Sequence, residues 1–157
     1  MSMICILTVV SDEEIRELYD TPEKIDDLTG KGRVTTDIEK AWHGIHWLLT
    51  GSNDGDNAPL CYLLCGGEEV SFSDFGYGPP RTLTSEQVAS WDDALSKISG
   101  DELSRRFDAK AMLDADIYPE IWAETYALDY LLHSYSRLKD FVATARKSQS
   151  GLLIYLS

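Results

Sequence analysis

Two of the three histidines and two of the four tryptophans of the chain lie within six residues of one another. They are Trp42, His43, His46 and Trp47. On a helix, residues three and four apart lie on one face, so His43 would lie beside both His46 and Trp47. Imidazole groups next to indole rings are typical of the wall of a pocket, where they can bind a metal ion or transfer a proton.

A metal site at this segment would need three or four ligands. His43 and His46 could supply two of them, and either His133 or the pair Cys61 and Cys65 could complete the set. The zinc-protease helix, however, spaces its histidines four apart and has a glutamate between them. Here the histidines are three apart with glycine and isoleucine between them, so we predict no metal site and no cofactor.

Nucleophilic catalysis would need a cysteine or serine within reach of a histidine and an orienting carboxylate. Cys5, Cys61 and Cys65 all lie in apolar runs, where cysteine normally behaves as a small buried hydrophobic residue. The sequence therefore has no local signature of a nucleophile.

A second polar and aromatic stripe is predicted on a long helix near the C-terminus. It consists of Trp122, Tyr126, Tyr130, His133 and Arg137, with Asp129 nearby. If this stripe faced the helix of residues 42–47, the two would line a cleft with a His-Asp pair of the kind that hydrolases use. We favour the other interpretation, in which the stripe packs against another element, because aromatic residues with polar tips are common at half-buried interfaces.

An aromatic loop precedes residue 81, with glycines at 76 and 78 on either side of Tyr77. Glycine N–H groups can approach an anion, and Arg81 could add a bidentate contact. No Gly-Lys-Ser or Gly-Lys-Thr follows, so the loop is not a phosphate-binding P-loop. Since glycine and proline are ordinary loop residues, we favour a turn that its aromatic side chains pack against the core.

The elements that must position these residues follow from capping signals and apolar periodicity. Capping boxes predict helices that start at Ser11 with Glu14, at Thr36 with Glu39 and at Thr84 with Gln87. The second of these helices would end at residue 50, and the longest helix is predicted over residues 118–148. Residues 52–57 are predicted as a loop and residues 58–65 as a short helix. Glycine inside a helix costs about 1 kcal/mol relative to alanine, so Gly44 predicts close packing of another element.

The order of the elements predicts an α+β fold. Residues 3–10 and 152–156 are apolar runs that predict the first and last strands, which we expect to be neighbours. Several helices and one or two short strands lie between them, without regular alternation of strand and helix. This order indicates a single domain over residues 1–157, with a small sheet packed on several helices, and not a doubly wound parallel sheet.

The formal net charge of the chain is −13, from 14 basic and 27 acidic side chains. Such a charge repels nucleic acid and anionic lipid, so the sequence predicts binding to neither nucleic acid nor membrane. A cluster of carboxylates lies near the N-terminus, at Asp12, Glu13, Glu14, Glu17, Asp20, Glu23, Asp26 and Asp27. This cluster is either a solvated face, which we favour, or a surface that steers a basic protein partner.

A cytoplasmic location is predicted from two absences and from the cysteine count. No apolar run approaches the roughly 20 residues of a membrane-spanning helix. The N-terminus lacks the pattern of a secretory signal. An odd number of cysteines in a domain that can fold without disulfides indicates a reducing compartment.

Three segments of the chain resemble the YfbM-like family of bacterial proteins. They are residues 39–51 (EKAWHGIHWLLTG), residues 75–81 (FGYGPPR) and the helix of residues 122–135. The resemblance covers nearly the whole chain and implies a compact α+β domain. It implies no reaction, because the family has no established activity. Proteins of this kind are similar to small proteins that accompany secreted toxins in some bacteria, and this similarity suggests a binding or immunity role.

We therefore expect a non-catalytic cytoplasmic module that binds a basic protein partner through its acidic surface, with an immunity-type role as one form of such binding. The alternative is a small-molecule enzyme, a hydrolase with a cleft lined by histidine and tyrosine. The candidate pocket residues are Trp42, His43, His46, Trp47, Tyr77, Arg81, Trp122, Tyr126, Tyr130 and His133.

Overall fold

The apolar runs at the two ends of the chain pair with each other in the middle of one sheet. The computed structural model describes residues 2–53 and 57–157, whose five strands lie in the order β2-β1-β5-β4-β3 with every pair antiparallel. The strands are β1 (Cys5–Val10), β2 (Thr35–Asp37), β3 (Glu68–Glu69), β4 (Arg81–Leu83) and β5 (Gly151–Leu156). The pairing of β1 with β5 extends from Cys5 opposite Leu156 to Val10 opposite Gly151. The prediction that the first and last strands are neighbours is confirmed.

Eight α-helices in the described residues surround this sheet, so the predicted α+β fold is confirmed. They are α1 (Asp12–Asp20), α2 (Ile25–Leu28), α3 (Trp42–Thr50), α4 (Tyr62–Cys65), α5 (Ser85–Ser96), α6 (Gly100–Arg106), α7 (Ala109–Asp114) and α8 (Ala127–Lys147), with a 3-10 turn at Pro22–Lys24. The capping boxes at Ser11 and Thr84 form as predicted. In the described part of the chain, no helix has both the length and the apolar character needed to cross a membrane. Of the predicted loop at residues 52–57, residues 54–56 lie outside the described residues.

The two faces of the sheet are covered unequally. Alternate strand residues point to opposite faces. One face contributes Cys5, Leu7, Leu83, Leu152 and Ile154 to the main core, together with residues of α3, α5 and α8. The other face contributes Val10 and Leu153 to a smaller core. Among the described residues, the cover on that second face comes from α1 and the short helix α2, with Val70 and Phe75.

The predicted helix start at Thr36 is wrong. Thr36 lies in β2, opposite Leu7 of β1, and α3 begins only at Trp42 without a side-chain cap. Glu39 has a φ of 50°, which is outside the helical region. Strand pairing outweighs the local capping signal, because the backbone groups on the outer edge of β1 need hydrogen-bond partners. The N–H of Cys5 donates to the carbonyl of Glu39, and the N–H of Ile38 donates to the carbonyl of Cys5.

The predicted start of the longest helix at residue 118 is also wrong, since α8 begins at Ala127. Residues 118–126 form turns, and Glu120 has a φ of 66°. These turns direct Trp122 into the core, where its Nε1–H donates to the carbonyl of Ile117 at 2.7 Å. The burial of this one large side chain therefore outweighs the helical periodicity of the segment, which forms turns instead of a helix.

The close approach that Gly44 predicts is made by Trp122. A Cβ at residue 44 would lie 2.5 Å from Cη2 of Trp122 and 3.0 Å from Cδ1 of Leu131. Trp122 is 1% exposed and its ring also packs edge-on against Phe107. The absence of a side chain at Gly44 thus allows α3 to lie directly on a buried indole ring.

Replacing Gly44 with alanine should destabilise the fold. We expect a loss of up to about 2 kcal/mol in the free energy of unfolding, since overpacking costs about 1 to 3 kcal/mol and alanine offsets about 1 kcal/mol through helix propensity. The matched control is Gly100→Ala in α6, where the nearest atom to the new Cβ is 4.0 Å away. Urea denaturation of both variants tests this, and a Gly44→Ala variant as stable as Gly100→Ala would show that the indole ring can move aside.

Candidate functional site

The structure distributes the predicted pocket residues over several environments. Trp42, His46 and Trp122 are buried; His43, Trp47 and Tyr130 are half-buried; Tyr126 and His133 are exposed; and Tyr77 and Arg81 lie beside the β4 side of the sheet. The tryptophans at positions 42 and 122 belong to the main core. The predicted set therefore does not line one common pocket.

His43 is held by hydrogen bonds at both ring nitrogens. Its Nδ1 lies 2.9 Å from the backbone nitrogen of Tyr118, which donates to it. Its Nε2 lies 2.9 Å from Oδ1 of Asn53, so this nitrogen carries the proton and donates. Burial lowers the pKa of His43 from its usual value, which is consistent with a neutral ring. To accept a proton from a substrate, the ring would first have to give up its bond to the backbone of residue 118.

The neighbouring aromatic rings form a stack that joins three parts of the chain. The ring of Trp42 stacks on His43 at 5.3 Å and on Tyr118 at 5.5 Å. Nε1–H of Trp42 donates to the carbonyl of Met3 at 2.8 Å, and the N–H of Met3 donates to Oη of Tyr118 at 3.0 Å. These contacts tie α3 to the N-terminus and to the turns before α8, which is a structural role.

The second stripe on α8 contacts the connection between β2 and α3. Oη of Tyr130 accepts from the N–H of Lys40 at 2.9 Å. Arg137 donates to the carbonyl of Asp37 at 3.0 Å and lies 3.6 Å from its carboxylate. Burial raises the pKa of Tyr130, as expected for a hydroxyl that takes part in packing. The exposed His133 lies outside these contacts.

The histidines and cysteines do not assemble into a metal site. Within residues 2–53 and 57–157, no three His, Cys, Asp or Glu side chains are grouped so that they could hold an ion. Cys5 and Cys61 are buried as expected, and burial raises the pKa of the Cys5 thiol. Cys65 is exposed, so the expectation of burial was wrong for this residue. It is the last residue of the four-residue helix α4, whose buried residue is Leu63.

Sequence reasoning missed an open groove of about 770 Å³ on the less covered face of the sheet. Its floor contains Ile4, Ile6, Thr8 and Tyr155, and its walls contain Thr29, Gly30, Arg33, Thr35, Asp37, Glu39 and Lys40. None of the predicted pocket residues lines it. We call this cavity the sheet groove. The signal that could have found it is the alternation of residues 4, 6 and 8, together with helices α1 and α2 that are too short to cover the strand.

An ion pair holds the wall of the sheet groove. Arg33 donates to both carboxylate oxygens of Glu14, at 2.6 and 3.0 Å, and to the carbonyl of Val9 at 2.8 Å. The hydrogen bond from Arg33 is the main cause that lowers the pKa of Glu14 to about 2. Glu14 also accepts from the N–H of Ser11 in the capping box of α1. This bidentate pair connects α1 to the segment before β2.

The acidic cluster separates into carboxylates that bond to other residues of the fold and carboxylates that face solvent. Asp12 accepts from the backbone and hydroxyl of Ser85, Glu14 pairs with Arg33, and Glu17 pairs with Lys24 at 2.7 Å. The remaining members, Glu13, Asp20, Glu23, Asp26 and Asp27, are exposed. The last two lie on α2, directly before the groove residues Thr29 and Gly30. An exposed acidic surface therefore adjoins one wall of the groove.

Comparison with known proteins finds relatives of unknown function. A family model described as Domain of unknown function (DUF1877) matches residues 1–155. Protein YfbM from Escherichia coli (strain K12) is 30% identical over 130 residues, which cover 77% of this chain and 75% of that protein. A crystal structure of YfbM from Escherichia coli, described as a protein of unknown function, has a TM-score of 0.78 at 22% identity. That match covers 99% of this chain and all of the other, and it shows a common fold.

The free energy of unfolding should depend on pH through His43. Because the folded chain has the lower histidine pKa, the unfolded chain binds more protons as the pH falls below about 6.5, and stability decreases. The contribution of His43 to the free energy of unfolding is fully present above that pH. The variant His43→Gln should have a shallower decrease between about pH 7 and 5 than the unmodified chain. Equal slopes in urea denaturation for His43→Gln and the unmodified chain would contradict the assigned cause.

The pair of Glu14 and Arg33 should stabilise the chain at neutral pH. A lowered carboxylate pKa contributes stability that is present above the ordinary value of 4.5 and is lost as the pH falls towards about 2. Glu14→Gln keeps the capping geometry but loses the charge, so we expect a cost on the order of 1 kcal/mol after solvent screening. The control is Glu13→Gln, an exposed neighbour in the same helical turn. A cost for Glu14→Gln that persisted unchanged at about pH 2, where the Glu14 carboxylate of the folded chain is half protonated, would argue against the ion pair.

Proposed function

The chain belongs to the DUF1877 family, and from this premise we propose that it is a non-catalytic cytoplasmic module that binds an extended basic segment of another protein. The observation that carries the proposal is the sheet groove, which opens beside the edge strand β2. An immunity-type role would be one form of such binding. Because the relatives have no described activity, the support comes from the chemistry of this chain.

The floor of the sheet groove suits an apolar side chain of a bound segment. Ile4, Ile6 and Tyr155 are only half-buried, so apolar surface on the sheet stays in contact with solvent. Covering such surface is favourable by about 25 cal/mol per Å². The hydroxyls of Thr8 and Thr35, 3.1 Å apart, add a polar strip at the β2 side.

The edge of the sheet offers backbone hydrogen bonds to an extended segment. β2 is the outermost strand, and its only strand partner among the described residues is β1. An edge strand has N–H and C=O groups on its outer side, to which another chain can add as a further strand. In β2 the carbonyl of Asp37 already accepts from Arg137, so the groups of Thr35 and the N–H of Asp37 are the ones available to a partner. Val34, at the start of this edge, is 59% exposed and would add apolar contact. Strand addition would therefore provide affinity without requiring a particular sequence.

The charges around the sheet groove favour a basic partner. The lining charges nearly balance, because Arg33 is paired with Glu14 and Asp37 is paired with Arg137, which leaves Glu39 beside Lys40. The excess negative charge comes from the exposed carboxylates of α1 and α2 and from the net charge of −13. Such a field accelerates the encounter with a basic segment at low salt.

The hydrolase alternative has no comparable support. His43 uses both ring nitrogens, His46 lies in the core and His133 is exposed. None of the three lines the sheet groove. Catalysis by these histidines would require them to converge on a concave site with a substrate.

Selection of displayed random peptides against the full chain tests the proposal. We expect enrichment of segments in which lysine or arginine alternates with valine, isoleucine or aromatic residues. Binding should weaken as salt is raised, because the surrounding carboxylates are exposed. Ile6→Glu, which places a charge on the groove floor, should weaken binding at least about tenfold, equivalent to about 1.4 kcal/mol.

Two pairs of charge substitutions separate local from general electrostatics. Asp26→Asn with Asp27→Asn should weaken binding a few fold at low salt and reduce its salt dependence. The matched control is Asp101→Asn with Asp140→Asn, which removes two exposed carboxylates from α6 and α8 on the other face of the sheet. Enrichment of acidic peptides, or binding that Ile6→Glu leaves unchanged in a folded variant, would contradict the proposal.

A further inference from the structure

A second, smaller cavity lies between α4, the aromatic loop and strands β4 and β5. Its volume is about 120 Å³, and its lining includes Leu63, Leu64, Tyr77, Pro79, Arg81 and Ile154. We propose that this cavity binds the carboxylate group of a small apolar acid through the guanidinium of Arg81. This inference does not rest on the proposed function of the sheet groove.

The guanidinium of Arg81 has donors without acceptors. The side chain is only 21% exposed, and a guanidinium has five N–H donors. Its one hydrogen bond to a described residue joins Nη1 to Oε1 of Glu69 at a long 3.3 Å, and the Glu69 side chain is 57% exposed. Nε is buried and has no hydrogen-bond partner. A buried donor without an acceptor is unfavourable, so the site favours a group that supplies one.

Glu69 does not occupy the edge of the guanidinium that suits an oxyanion. Nε–H and Nη2–H point the same way from one edge of the planar group and can bind both oxygens of a carboxylate. Glu69 contacts Nη1, which is not part of this edge. A carboxylate placed against the free edge would satisfy the buried Nε and form two charge-assisted hydrogen bonds.

The lining of the cavity selects a monocarboxylate over a phosphate. Leu63, Leu64, Pro79 and Ile154 are apolar, and removing a dianion from water into such surroundings is costly. The nearby carboxylate of Glu69 also repels a second negative charge more than a first. The volume corresponds to roughly four water molecules at about 30 Å³ each, which is enough for a carboxylate with a short aliphatic chain.

The glycines of the aromatic loop have a different role from the one that the sequence suggested. Gly76 and Gly78 have φ values of 101° and 95°, a region that favours glycine, so they shape the turn that leads to Pro79. The N–H of Gly76 already donates to Oδ1 of Asp74 at 2.7 Å. It is therefore not available to an anion, and Arg81 is the group that would hold the ligand.

Arginine Nε–H resonances in two-dimensional proton–nitrogen NMR spectra report on this site directly. The full chain is titrated with acetate, propionate, butyrate and inorganic phosphate at constant ionic strength, with chloride as the compensating anion. We expect a saturable shift of the Arg81 Nε–H signal, with affinity rising up to about fourfold per added CH₂, the factor that corresponds to about 0.8 kcal/mol. The signal is assigned by its loss in Arg81→Lys.

Variants test the role of the free edge. Arg81→Lys keeps the charge but lacks the fork, so butyrate affinity, followed at the backbone amides of Leu63 and Tyr77, should fall at least about tenfold. Glu69→Gln should bind butyrate more tightly, because a neighbouring negative charge is removed. The control is Arg105→Lys, an exposed arginine paired with Glu102, which should bind as the unmodified chain does.

Three outcomes would overturn the proposal. Phosphate that bound more tightly than butyrate would refute the choice of a monocarboxylate. Equal butyrate affinity in Arg81→Lys would refute the role of the guanidinium edge. A shift that did not saturate at Arg81 in the unmodified chain would mean that solvent alone satisfies Nε, and this result stands even if a variant fails to fold.

Discussion

The hydrogen bonds between β1 and β5 join the two ends of the chain along six residue pairs in the middle of the sheet. A central strand pair exposes side chains on both faces, and each face must be covered for the apolar residues to leave water. The main core on one face is built by α3, α5 and α8, which connect or follow the other strands. The arrangement of the remaining helices follows from this need to cover a pair whose partners are about 150 residues apart in sequence.

The sheet groove results from incomplete cover on the opposite face. α1 has nine residues and α2 only four, and their apolar side chains reach Val10 and Leu153 but not Ile4 and Ile6. The bidentate pair of Arg33 and Glu14 keeps the segment before β2 beside α1, which leaves the groove open instead of collapsed. An open groove beside an edge strand can bind an extended segment through backbone hydrogen bonds and apolar contacts, and such binding requires no catalytic residue.

The segment from Trp42 to Trp47 has the residue types best suited to a functional site, but its side chains serve to pack elements together. The ring of Trp122 packs against Gly44, and the ring of Trp42 stacks on His43 and on Tyr118. Histidine and tryptophan are suited to such packing because each combines a flat apolar surface with a hydrogen-bonding nitrogen. Their clustering in sequence therefore marks a junction between α3, the N-terminus and the turns before α8 as readily as it marks a site.

Local signals in the sequence determined whatever depends on a few neighbouring residues. The capping boxes at Ser11 and Thr84, the apolar strands at both ends and the close packing at Gly44 could all be predicted, and so could the α+β class. Tertiary structure alone decided that residues 35–37 form a strand and that α8 begins at Ala127, because long-range pairing and the burial of Trp122 outweigh local preference. It also decided where the sheet groove opens and which donors of Arg81 lack an acceptor, since both depend on how distant elements pack. The alternation of residues 4, 6 and 8 marks only one strand of the groove floor.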